Sequence, residues 1–225
     1  MDSLKLALRF SYKPNTLGLC GRKEPGIYEL LKKDDWTDEE TDRVKDFIRE
    51  LKVLYAYLDA IGRACGKSPF DEEVVSACII GWDKWDRYGE EAAELLKENL
   101  KQVALPKKLD EIAQLPAGVP LTHNFHTLYF GAVSKDIPRV LSFADRCKVS
   151  LGTVVGEGAR YNRLLPGLEL GEGYIRVEAA FFDVKPGDRV FLHHGVAFEK
   201  ASRKAIQLYE GNLRDVIDTV KHSWE

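Results

Sequence analysis

The chain carries five histidines and four cysteines, and their placement is the first indication of chemistry. His123 and His126, in "THNFH", stand three residues apart, and His193 and His194 are adjacent in "DRVFLHHGVAF". Cys147 lies between Arg146 and Lys148, and cationic neighbours favour the thiolate, the form that binds metals and attacks electrophiles. Cys147 is therefore a candidate metal ligand. Cys20, His123 and His126 are weaker candidates for the same duty. Cys65 and Cys78 sit among apolar residues in helical patterns and read as small buried hydrophobes. None of the cysteines forms the close pair that structural zinc sites and redox motifs use, and the common nucleotide-binding, zinc-protease and serine-hydrolase signatures are missing. Gly156 and Gly158 in "VVGEGAR" read as a turn between strands, not as a phosphate cradle.

The elements that must hold these residues change in character along the chain. From Thr37, followed at capping-box spacing by Glu40, apolar residues recur every three or four positions from Val44 to Ile61, which predicts an amphipathic helix. A second helix follows "KSPF" with Val74, Val75, Cys78, Ile79, Trp82 and Trp85 on one face. A third is expected over about Glu90 to Val103, and a short one near Lys107 to Leu115. The first half thus reads as an antiparallel helical bundle packed by its tryptophans. The stretch "LPAGVPLTHNF" interrupts helical continuity, and the expected domains are residues 1–118 and 119–225.

Beyond it, "FHTLYFGAV", "KVSLGTVV", "YIRVEAAFF" and "DRVFLHH" are rich in β-branched and aromatic residues and read as strands. Pro186 and Gly187 are in the order a type II turn prefers. A terminal helix is expected from Ala201 to about Val220. The fold class is α+β: a helical bundle followed by a small OB-like β-barrel with a C-terminal helix. In this scheme His123 and His126 lie on a loop running into a strand. His193 and His194 face opposite sides of a strand, so they do not chelate one ion together, and Gly195 after them lets the backbone turn or a partner approach.

A formal charge of −3 with 31% charged residues gives no general preference for nucleic acid or anionic membranes. No run approaches the roughly 20 apolar residues of a membrane span, and the opening segment is too short in apolar residues for a signal peptide. A cytoplasmic protein is expected.

The β half resembles the HypC/HupF family of nickel–iron hydrogenase maturation chaperones. "CKVSLGTVV" places Cys147, Gly152, Val154 and Val155 at the spacing of that family's cysteine motif. "VKPGDRVFLHHGVAFEK" matches its second motif, with Gly187 and Asp188 in a turn, then His193, Gly195, Ala197, Glu199 and Lys200 in register. In the family the cysteine opens the mature protein, whereas 146 residues precede it here, and Leu151 stands where a proline is usual. The resemblance covers roughly Cys147 to Val220. It implies an OB-like barrel whose cysteine, Cys147, helps hold an iron carrying cyanide and carbon monoxide, received from a scaffold protein and delivered to a hydrogenase precursor, with His193 as a candidate ligand or support at that site. The expected function is accordingly a chaperone that binds a protein partner and, transiently, iron, with Gly152, Gly195, Glu199 and Lys200 as candidate partner-binding residues. The alternatives are a cysteine/histidine-dependent enzyme with its site between the two domains, and a non-catalytic interaction module.

Overall fold

The computed structural model describes residues 2–19, 21–103, 118–132, 144–165 and 167–222. The chain divides into two compact units, Met1–Thr122 and His123–Glu225. Cys20 and the predicted helix near Lys107 to Leu115 lie outside the described residues.

The first unit is helical. Helix α1 (Ser3–Thr16), in a segment given no element above, is capped by Asp2, whose carboxylate accepts from the amides of Leu4 and Lys5. A 3₁₀ turn (Ile27–Lys32) leads to α2 (Asp38–Glu50), where Thr37 and Glu40 form the expected capping box. The apolar stripe runs on past Glu50, but the backbone does not: Leu51 leaves the helical region at ψ 66, so one expected helix is two, α2 and α3 (Lys52–Cys65). Periodicity registers the shared buried side and is blind to a single-residue hinge. Helix α4 (Glu72–Ile79) is capped by Asp71, and α5 (Trp85–Val103) packs on α3, where Asn99 donates to the Ala56 carbonyl and to Asp59. Trp82 and Trp85 are buried edge to face at 5.2 Å.

The Trp82 indole donates to Glu73, which also meets Lys67 at 2.7 Å and Lys84 at 2.6 Å. The Lys67 and Lys84 hydrogen bonds hold the Glu73 carboxyl down at about 2. A carboxylate depressed in the folded state stabilises it fully above the unfolded value near 4.5, and that contribution is lost as pH falls toward 2. Urea unfolding of Glu73→Gln should therefore show a deficit against the parent at pH 6 that narrows steadily below pH 4. A deficit unchanged by pH would exclude the ionic origin.

The second unit holds helix α6 (His123–Ala132), strands β1 (Ser150–Val155), β2 (Gly158–Leu165), β3 (Glu169–Arg176), β4 (Arg189–His193) and β5 (Val196–Lys200), and helix α7 (Arg203–His222). The strands form one antiparallel sheet in the order β3-β2-β1-β4-β5. The fold is α+β as expected, but the sheet does not close into a barrel. The chain after β3 curls toward β5 and meets it only at the single parallel bridge Glu178–Val196, so no continuous ladder joins the two edges.

Two local expectations are corrected. "FHTLYFGAV" is helix, not strand, as far as Ala132, the last described residue: it is apolar on so many sides that Phe125, Leu128 and Tyr129, spaced three and four apart, do not stand out from a strand-like run. Residues 177–182 of "YIRVEAAFF" are not part of a named strand. The segment between His194 and the terminal helix, given no element above, holds β5. The turns behave as their residues dictate. Asp188 donates its amide to the Lys185 carbonyl across Pro186 and Gly187, with Gly187 at φ 92. His194 and Gly195 both take positive φ, 51 and 80, and join β4 to β5 as a two-residue type I′ connection closed by His193 and Val196.

One side of the sheet gathers Val154, Ala159, Val190, Leu192 and Ala197, with Ile175, Val184 and others packed against them. On the other side Phe191 packs edge to face on Tyr209 of α7 at 5.4 Å. Tyr209, Leu213, Val216 and Val220 are buried along α7, and α6 packs against it. Each large side chain so buried contributes about 1.5–3 kcal/mol, several times a typical hydrogen bond. Packing therefore sets the scaffold, and polar groups orient what lies on it. Among the described residues no helix is long and apolar enough to cross a membrane.

Candidate metal centre

Cys147 ends a short helical turn, residues 144–147, that the Lys148 amide closes on the Ala144 carbonyl at 2.7 Å. The chain then straightens into β1, and two helices grip it there. Asn124 of α6 accepts from the Val149 amide at 2.7 Å and donates to the Val149 carbonyl at 3.2 Å, imitating a neighbouring strand. The Tyr209 hydroxyl donates to the same carbonyl at 2.8 Å. Across the sheet Ser150 pairs with Leu192, and the His194 amide donates to the Arg146 carbonyl at 3.0 Å, extending the β1–β4 alignment past Cys147. His193, two residues after Phe191, faces the helical side of the sheet.

These constraints bring three donor-bearing side chains together. The Cys147 Sγ lies 3.8 Å from Nε2 of His123 and 3.9 Å from Nε2 of His193. The three donor atoms all fall within 4.8 Å of one another, as a shared ion requires. The His123 and His193 rings meet edge to face at 5.0 Å. Thr127, one helical turn after His123, places its hydroxyl 3.2 Å from His123 Nε2 and 4.0 Å from the sulfur, while donating to the His123 carbonyl. His123 Nε2 is also 3.0 Å from the Cys147 carbonyl oxygen. With Nε2 protonated, His123 donates to that carbonyl; with the proton on Nδ1, the Nε2 lone pair is available to an ion.

The sulfur is enclosed, not presented on an exposed rim. Cys147 is 8% exposed and His193 2%. The Lys148 amine turns away to Ser150 and the Asn162 carbonyl, and pairs with Asp145 at 3.3 Å. Burial pushes that amine down to about 8 against the opposing pull of Asp145. His123 is half-buried as a residue, yet burial is the largest influence on its ring. Together with repulsion from His126 and His194, it takes His123 down to about 3 despite the Cys147 carbonyl contact, leaving a neutral imidazole at pH 7.

The other sequence candidates take different places. His126 shares a face of α6 with His123, as helical spacing requires, but its ring stands 6.4 Å from that of His123 and packs on Phe130. His194 is half-buried in the turn, 4.9 Å from His193. Cys20 lies outside the described residues. Cys78 is buried and its thiol is pushed up to about 12, so it behaves as a hydrophobe, while half-buried Cys65 sits 3.6 Å from the Gly62 carbonyl. Gly152 is buried in β1, where an added Cβ would come within 2.8 Å of Leu192 and 3.1 Å of Ala159, so its small size serves close packing. Gly195 sits under the end of β3, where a Cβ would meet Ile175 at 3.3 Å. Exposed Lys200 pairs with Asp188 at 3.0 Å, tying β5 to the turn before β4, and Glu199 is half-buried beside it. Sequence reasoning missed Thr127 and Asn124; helical spacing from His123 would have been their signal, had the segment been read as a helix.

Asn124→Ala should strand the amide of buried Val149 and leave its carbonyl with the Tyr209 hydroxyl alone. Leaving a buried polar group unsatisfied costs about 1–3 kcal/mol, so the variant should lose stability of that order in urea unfolding. A loss confined to a few tenths would mean that this clamp does not hold Cys147 in place.

Residues 3–163 match a family described as "Family of unknown function (DUF6390)", and the chain belongs to that family. The matched region contains His123 and Cys147 and stops short of His193. No curated protein and no solved structure matches the chain.

Proposed function

We propose that this protein is a HypC-like accessory protein that binds a protein partner and handles an iron fragment during maturation of a metalloenzyme. One observation carries the reading: Cys147 and His193, the cysteine and histidine of two motifs 46 residues apart, lie with Sγ and Nε2 at 3.9 Å. Nothing in the spacing of the two motifs obliges their reactive side chains to touch. A thiolate is a strong donor for low-spin iron and can still be exchanged at handover, and a buried imidazole beside it can bind or orient the cargo. The antiparallel sheet followed by a terminal helix agrees with the reading, while the barrel that the resemblance implies is not closed.

The test is anaerobic purification of the full chain, alone and co-expressed with hydrogenase-maturation proteins, followed by iron analysis and infrared spectroscopy. Bands of iron-bound cyanide or carbon monoxide that disappear in Cys147→Ser support the reading. Iron-free preparations under every condition, with no stable complex with any of those proteins, would overturn it.

A further inference from the structure

The iron-delivery reading uses a cysteine and one histidine. The structure places a third donor against them, from an element outside both motifs. His123 opens α6, and its Nε2 lies closer to the Cys147 sulfur than that of His193, 3.8 Å against 3.9 Å. We propose that His123, Cys147 and His193 form a self-contained three-donor site for a divalent first-row transition ion such as zinc, with an open fourth position. The inference goes beyond the delivery reading and does not depend on it, since a bare ion would suffice.

The argument is geometric and chemical. Bonds of about 2.3 Å to sulfur and 2.0–2.1 Å to nitrogen, in tetrahedral array, put the donors about 3.3–3.6 Å apart. The observed sulfur–nitrogen separations exceed that by a few tenths of an ångström, within reach of small ring movements. One thiolate with two imidazoles is a donor set of intermediate softness, suited to zinc, cobalt(II) or iron(II) and poorly suited to calcium or magnesium. The donors come from a helix start, a helical turn and a strand end, each fixed independently: α6 through Asn124, the turn through its closure on Ala144, and β4 through its pairing with β1. Thr127 is placed to orient His123 by hydrogen bonding to its backbone. On loading, the Cys147 thiol releases its proton to solvent as the sulfur–metal bond forms. The single proton of neutral His123 resides on Nδ1, and the contact with the Cys147 carbonyl is given up. His126 stays outside the donor triangle, so its removal is the control.

Metal-free full-length protein titrated with cobalt(II) should bind one ion per chain, with a thiolate charge-transfer band and the intense visible bands of four-coordinate cobalt. Cys147→Ser should lose the charge-transfer band. Altering groups that merely support a ligand typically costs 10–100-fold in affinity, so removal of a donor in His123→Ala should weaken cobalt binding by at least about 100-fold, as should His193→Ala. His126→Ala should bind as the parent does. If His123→Ala is unfolded by circular dichroism, X-ray absorption of the zinc-loaded parent decides instead: one sulfur and two imidazoles in the first shell are expected. Parent-like affinity in folded His123→Ala, a shell with a single imidazole, or no cobalt uptake by the parent would overturn the proposal. Failure here leaves cysteine-based iron delivery standing, and absence of the infrared bands leaves this site standing.

Discussion

Cys147→Ser is expected to abolish uptake of iron, with or without a partner, while leaving the fold nearly intact. The two expectations rest on different quantities. Serine is close to cysteine in size, the site is 8% exposed, and polar neighbours at Thr127, His123 and His193 can receive a hydroxyl. A buried hydroxyl left without a partner would cost about 1–3 kcal/mol, and these neighbours supply partners, so the loss falls below that. The chemical change is far larger, because a hydroxyl stays protonated at neutral pH and is a hard, weak donor where a thiolate is a strong one. Metal content after anaerobic reconstitution should fall to background, and the thermal midpoint should move by only a few degrees. A variant that retains parent-like metal content would remove Cys147 from the site, and one that fails to fold would show that the sulfur is chiefly a packing group.

The second large effect concerns the buried ion pair behind the sulfur. Asp145 accepts from the Tyr161 hydroxyl at 2.8 Å and the Leu164 amide at 2.7 Å, and faces Lys148, whose side chain is wholly buried. Asp145→Ala leaves that amine without its counter-charge, and removing one member of a buried pair costs about 3–5 kcal/mol. Urea unfolding should show a loss of that size, and Asp145→Ala/Lys148→Met should recover part of it, since the buried charge is then gone as well.

The same amine predicts a pH dependence of definite sign. Its folded-state value of about 8 lies below the ordinary 10.5, so between these limits the unfolded chain binds more protons than the folded one. Stability from this group therefore rises as pH increases from 8, and Lys148→Met should abolish that rise. The window closes near pH 10: burial and the Asp145 hydrogen bond raise the Tyr161 hydroxyl to about 12, and a phenol harder to ionise when folded erodes stability above its ordinary value. Parent and variant curves that run parallel from pH 8 to 10 would contradict this assignment.

How much of this was legible beforehand follows from what each pattern encodes. Helices α2, α3 and α7 declare themselves because one side is apolar and the other charged, and the Thr37–Glu40 box marks a start to the residue. Helix α6 does not, because Asn124 and Thr127 are buried beside Phe125 and Leu128, and a helix with little solvated side has no contrast to read. That error displaced His123 and His126 onto a strand approach and left His123 among the weaker candidates. Cys147 and His193 could be named from motif spacing, but the enclosure of the sulfur could not, because charged neighbours in sequence say nothing about where their side chains end. The barrel failed to close for a reason equally invisible in composition: one bridge at Glu178 stands where a ladder was expected.

The two-residue reversal at His194 and Gly195 has a consequence for engineering. With the shortest standard connection on one side and a paired strand on the other, His193 has no slack in which to be repositioned. Lengthening that corner by one amino acid would let β5 shift its pairing by one place, exchanging its inward and outward side chains and loosening the anchorage of the imidazole. Grafts, tags or circular permutation points placed there should silence the site even where the protein remains well expressed.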